Sequence, residues 1–187
     1  MSALFWLFVI VVLFWLAFIF NHLVALRNRA KAAWSDIDVQ LKRRHDLVGN
    51  LVETVKGYVQ HERSTLEEVV RARTVAETAR DAGKPGEAGA AENALGGQVR
   101  GLFALAEAYP DLKASDRFLD LQRALTTVEN DLQNARRYYN AVVRDFNTRI
   151  QSFPDLLVAR PLGFREREFF ELDDAAEAQA PRVEMNP

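Results

Sequence analysis

Few side chains in this sequence have the type and spacing that catalysis or metal binding requires. His61-Glu62 opens like the helix of a zinc protease, where two histidines four residues apart hold the metal and the intervening glutamate is the base. Position 65, where the second histidine would stand, is Thr65. Histidine occurs three times, as His22, His45 and His61, and cysteine is absent. That leaves no metal ligand set, no thiol nucleophile and no disulfide. Gly96-Gly97-Gln98-Val99-Arg100-Gly101 has the glycines of a phosphate loop without its Lys-Ser/Thr pair or a preceding strand. Such glycines suit the close approach of two helices. Carboxylates are plentiful, but pairs such as Glu67 and Arg71 read as solvated i,i+4 helix partners. The expectation is a chain with no catalytic residue, no metal and no cofactor.

Charge adds one cluster and one mismatch. Lys42-Arg43-Arg44-His45 could meet anionic lipid or nucleic acid, but Asp36, Asp38 and Asp46 flank it. A helix would spread the cluster around its circumference, so a solvated face is expected and nucleic acid is not. Arg44 sits where an apolar residue belongs, between Leu41 and Val48, and Glu129 lies at the edge of another apolar stripe. A half-buried arginine needs a carboxylate. Pairing of Arg44 with Glu129 or a neighbouring acid, fixing helix register, is one reading; an arginine reaching past the core to water is the other.

The elements that must position these residues are helical. Ala, Leu, Glu, Arg and Gln recur, with only six prolines and nine glycines in 187 residues and a net charge of −2. After residue 26 apolar positions repeat at three and four residues: Trp34, Ile37, Leu41, Val48, Leu51, Val55 and Tyr58, widened by Leu47, Val52 and Val59. Gly57 and the capping-box spacing of Ser64 and Glu67 favour a break or kink near 57–64, although one continuous helix also fits. A second helix then runs to about Ala82 with Leu66, Val69, Val70, Val75, Ala76 and Ala79 inside. Asp81–Gly89, with three glycines and a proline, reads as an exposed connection. A third helix spans roughly Ala90 to Ala108 and stops before Pro110. Ser115 and Asp116 offer an N-cap for the last helix. Its stripe runs from Phe118 through Leu121, Leu125, Val128, Leu132, Ala135, Tyr139, Val142 and Phe146 to Ile150, and Pro154 ends it. Four helices with short connections favour an antiparallel four-helix bundle over a coiled-coil dimer.

Ahead of the bundle, every residue from Ala3 to Phe20 is apolar, and Leu23 to Leu26 continue the run after Asn21 and His22. At about 1.5 Å per residue this stretch spans the roughly 30 Å of a bilayer core. Leu4, Phe8, Val12, Trp15 and Phe18 would face lipid, and His22 would lie at the inner boundary. A cleaved signal peptide fits poorly, because no Lys or Arg precedes the run and its end is bulky. Arg27, Arg29 and Lys31 follow closely, placing the helical domain in the cytoplasm and the short N-terminus outside. The fold class is therefore all-α, an N-terminal transmembrane helix continuing into the bundle. Residues 1–26 form the anchor, 27–172 the bundle and 173–187 an acidic disordered tail. Before that tail, Phe164, Phe169 and Phe170 stand among alternating charges. They either dock back on the bundle or, exposed, form a partner-binding patch.

These segments together resemble the LemA family. The similarity rests on the apolar N-terminus, on RRHDLVGNLVETVKGYVQHE at Arg43–Glu62 and on LAEAYPDLKA at Leu105–Ala114. It extends over Phe118, Leu121, Gln122, Glu129, Asn130, Ala135, Arg136, Tyr139 and Asn140, then Phe153-Pro154, Gly163-Phe164 and Phe169-Phe170-Glu171. One departure is Gly49, where a proline is common in the family and whose absence should straighten the first helix. The resemblance implies a bacterial membrane protein with an inner four-helix bundle and supplies no reaction. Two functional classes follow. The leading one is a membrane-anchored scaffold or accessory protein in the cell membrane, binding the lipid bilayer and either copies of itself or another membrane protein, a quality-control protease being one candidate. The other is a signalling or envelope-stress component whose bundle responds to a bound ligand.

Overall fold

The computed structural model describes residues 2–59 and 62–171; the acidic tail expected at 173–187 lies outside them. The longest element, α1 (Ser2–Lys56), is one uninterrupted helix about 80 Å long. It starts in the apolar run and ends in the bundle, with no proline along it and Gly49 as its one glycine. The chain then reverses at Gly57–Val59 into α2 (Arg63–Asp81), returns as α3 (Pro85–Ala106), crosses the end of the bundle through the single turn α4 (Pro110–Lys113) and descends along all of α1 as α5 (Asp116–Gln151). A last turn, α6 (Leu156–Ala159), precedes extended residues 164–171. Successive long helices alternate in direction, giving the expected up-down-up-down bundle.

The core is built in three layers along α1. Farthest from the apolar run, Val48, Leu51, Val55 and Val59 meet Leu66, Val69, Leu95, Leu102, Phe118 and Leu125. In the middle, Ala30, Ala33, Ile37 and Leu41 meet Leu132, Tyr139, Val142 and Phe170. Nearest the apolar run, Ile19, Leu23 and Leu26 meet Phe146, Ile150, Val158 and Ala159. The stripes of α1 and α5 thus pair antiparallel over their whole common length.

Several expected details differ. Tyr58 is 44% exposed because the turn after Lys56 swings it outward, and Val59 tucks in instead. Val70 and Val75 lie off the line of Leu66, Val69 and Ala76, and they are exposed. Ser64 lies within the first turn of α2, with Glu62 at the N-cap, so the capping box does not form. The Asp81–Gly89 connection is short: α3 begins at Pro85, a favoured first helical residue because its missing N–H has no partner there anyway. Gly89 is helical for a tertiary reason. A Cβ there would collide with the Glu171 carbonyl oxygen.

Candidate functional site

Midway along the bundle, α1 presents Arg44 and His45 to α3, and α3 answers with one carboxylate. Arg44 Nη1 donates to Glu92 Oε2 at 2.7 Å, and His45 Nε2 donates to the other oxygen, Oε1, at 2.6 Å. The Arg44 and Glu92 side chains are 5% and 0% exposed. From α5, Glu129 reaches Arg44 Nη2 at 2.8 Å, with its own side chain 47% exposed. The structure therefore brings Arg44 and Glu129 together, and adds Glu92 as the inner, water-excluded partner. Two polar atoms of the cluster, Arg44 Nε and His45 Nδ1, are buried with no hydrogen-bond partner among the described residues.

This corrects the reading of Lys42–His45 as a solvated face: Lys42 and Arg43 are exposed, whereas Arg44 and His45 point inward. Helical geometry accounts for the split, since Leu41, Arg44 and Val48 share one face. Glu92 had a legible signal. Ala88, Glu92, Leu95, Val99, Leu102 and Ala106 alternate at four and three residues and are all buried, so Glu92 occupies a core position of its own helix. Gly96 leaves room for the guanidinium, since a Cβ there would lie 3.1 Å from Arg44 Nη2, a tight contact.

Above the cluster, a polar cleft of about 450 Å³ opens between α3 and α5, lined by Arg44, Glu92, Asn93, Arg100, Asn130 and Arg136 among others. Its lining offers arginines, carboxylates and amides, groups that can hydrogen-bond a polar ligand. An open groove of about 1060 Å³ between the end of α1 and the start of α2 has an apolar floor of Val52, Val59, Leu66 and Val70, edged by exposed charged residues such as Glu53, Lys56, Glu67 and Arg71. Among the described residues no group of three or more His, Asp or Glu side chains could hold a metal.

The helical interior around His45 is also braced from α2. Arg73 Nε donates to the His45 carbonyl at 2.8 Å, and Arg73 Nη2 pairs with Glu77 at 2.8 Å. That carbonyl is the i−4 acceptor for Gly49, the oxygen that a proline at 49 would leave without its helical donor.

On the opposite side, the segment after α6 forms a strap along α5. Asn147 exchanges two hydrogen bonds with the Arg167 backbone, each 2.9 Å, and Asn140 does the same with Phe170 at 3.0 and 2.9 Å. The spacing makes this possible: seven helical residues rise about 10 Å, and three extended residues span about the same distance. Tyr139 Oη donates to the Glu168 carbonyl at 2.9 Å. Burial pushes the Tyr139 phenol above its usual range, against the opposing charge of Arg167. Phe170 is fully buried, with its ring 5.6 Å from that of Trp34. Phe164 is half-buried against Phe20 and Phe146, under the Arg27 guanidinium at 5.4 Å. Of the three tail aromatics only Phe169 stays exposed. Residues 164–171 lie back on the bundle, and Phe170 offers no surface to a partner.

At the other end of α1, Leu4, Phe8, Trp15 and Phe18 are exposed and Val12 is half-buried. The helix is long and apolar enough to cross a membrane.

Comparison with known proteins gives one consistent answer. Magnetosome protein MamQ 2 of Paramagnetospirillum magneticum is 26% identical over 178 residues, covering 81% of this chain and 64% of its own length. Magnetosome protein MamQ of Magnetospirillum gryphiswaldense is 22% identical over 174 residues with the same coverage. Protein LemA of Metamycoplasma hominis is 25% identical over 166 residues, 88% of this chain and 74% of its own. The chain thus spans 64% of the length of the MamQ relatives. The profile of the LemA family matches residues 33–185, taking in the charge cluster, the bundle and the strap, and the chain belongs to that family.

Proposed function

We propose that this chain is a single-pass membrane protein whose cytoplasmic bundle acts as a non-catalytic scaffold or accessory factor, binding copies of itself or another membrane protein. The observation that carries this reading is the continuity of α1. One helix presents bulky apolar side chains outward near its start and is buried on one face, by α5 and then also by α2 and α3, farther on. In water the exposed run would be an aggregation hazard; in a bilayer it is an anchor. Arg27, Arg29 and Lys31, all exposed just past the run, support a cytoplasmic bundle. The buried ion cluster supports the structural part of this reading, since both oxygens of the Glu92 carboxylate are engaged by Arg44 and His45.

The test is crosslinking in native membranes with single-cysteine variants, which the cysteine-free chain makes simple. Variants at exposed α5 and α2 positions, such as Arg123→Cys and Arg71→Cys, should crosslink to a second copy or to one recurrent membrane protein. Recovery of only random neighbours at every position would overturn the scaffold reading.

The ligand-responsive reading is favoured by a separate observation, the polar cleft between α3 and α5. Its arginines suit an anionic small molecule. A screen of anions by thermal shift decides between the two: a selective rise abolished by Arg100→Ala favours the ligand, and an unmoved melting temperature favours the scaffold.

A further inference from the structure

The corner joining α5 to α6 has a surface that the core does not use. Phe153, Leu157 and Leu162 are 79%, 60% and 55% exposed, within ten residues of each other. Their immediate neighbours Val158 and Ala159 are buried against Ile19, Leu23 and Leu26 of α1. Because α5 runs antiparallel to α1, the end of α5 points toward the apolar run, and Phe153 lies just beyond it.

The level of this corner can be fixed against α1. It packs between Ile19 and Leu26, which places it on the apolar side of Arg27, the first charged residue of the chain. Phe164 is seated on Phe20 at 6.2 Å and capped by Arg27, tying the return strand to the same depth. Exposed Arg160, Arg165 and Glu166 lie in the segment that follows α6, and exposed Arg27 and Arg29 follow the stretch of α1 on which the corner packs. Bulky apolar tips with arginines close by are the composition that lies at the boundary of headgroups and acyl chains.

We propose that the α5–α6 corner is a second membrane contact, with Phe153, Leu157 and Leu162 dipping into the cytoplasmic headgroup–acyl boundary of the bilayer that α1 spans. The occupant of this surface is lipid because the corner packs on Ile19, Leu23 and Leu26 of α1, at the level where the apolar run gives way to Arg27. The bundle is then held to the membrane at two points, and its orientation is set. This inference rests on the anchored reading.

The experiment uses the full chain in vesicles of phosphatidylcholine with about one-fifth phosphatidylglycerol. An environment-sensitive fluorophore is placed on Leu157→Cys or Leu162→Cys, with Phe8→Cys as the anchor control and Asp120→Cys as the distal control; quenching is by lipids carrying a spin label near the headgroup. Quenching several-fold stronger at 157 and 162 than at 120 is expected. Quenching at 8 without quenching at 157 and 162 overturns the corner contact and leaves the anchor standing. Loss of quenching at 8 overturns both, and equal quenching at 120 shows a bundle lying flat, which also overturns it. All the labelled corner side chains are exposed, so the variants keep the core intact.

Discussion

Asn140 and Phe170 exchange a reciprocal pair of hydrogen bonds, 3.0 Å from the Asn140 amide to the Phe170 carbonyl and 2.9 Å from the Phe170 amide to the Asn140 carbonyl oxygen. The side-chain amide stands in for a neighbouring β-strand, and Asn147 repeats the arrangement two helical turns on at Arg167. Asn can do this because its planar amide carries a donor and an acceptor side by side, spaced like those of a peptide group.

Replacing Asn140 and Asn147 together by Ala should therefore free the strap. Each substitution removes two hydrogen bonds and costs about 1–3 kcal/mol. Tryptic cleavage at Arg165 and Arg167 of the full chain in detergent should accelerate about tenfold or more. Unchanged cleavage would mean that aromatic packing alone holds the strap.

The two partners of Arg44 should differ in worth. Glu92 is water-excluded, so removing it leaves a buried guanidinium and costs about 3–5 kcal/mol. Glu129 is half-exposed, and its pairing is worth about 1 kcal/mol or less. Double-mutant cycles of Arg44→Met with Glu92→Gln and with Glu129→Gln, read by urea unfolding, should give clearly unequal coupling. Equal couplings would remove Glu92 as the register-fixing partner.

Glycine-to-alanine changes in α3 should split by surroundings. At Gly101 nothing lies within 4 Å of a new Cβ, so Gly101→Ala should stabilise by about 0.5–1 kcal/mol through helix propensity. At Gly89 the new methyl meets the Glu171 backbone, so Gly89→Ala should displace the end of the strap and lower the melting temperature. Melting curves of the two variants, recorded side by side, check the sign of each.

Tyr139 carries a pH dependence. Burial holds its phenol above the usual value of 10.0, so the folded state keeps a proton that the unfolded chain releases. The associated stability is fully present below about pH 10 and declines as pH rises further. In urea unfolding between pH 8 and 11, the gap between the native chain and Tyr139→Phe should narrow above pH 10. A constant gap would show that the phenol titrates normally.

Sequence alone determined most of the helices and the long apolar run, because both are one-dimensional properties. Eighteen consecutive apolar residues and a three-four alternation from Phe118 to Ile150 are visible without knowing any neighbour. Arg44 was legible as a mismatch for the same reason. What tertiary structure decided is whatever depends on a second element. Glu92 became the buried partner of Arg44 because α3 packs with its Glu92 face toward α1, which no local pattern around the arginine shows. Pro85 and Gly89 read locally as loop, yet they are helical, since docking against α2 and the returning strap outweighs a glycine penalty of about 1 kcal/mol. The strap itself has no periodicity to read. Its path follows from two asparagines seven residues apart, whose spacing on a helix matches three residues of extended chain, a coincidence of lengths that exists only when the two segments lie side by side.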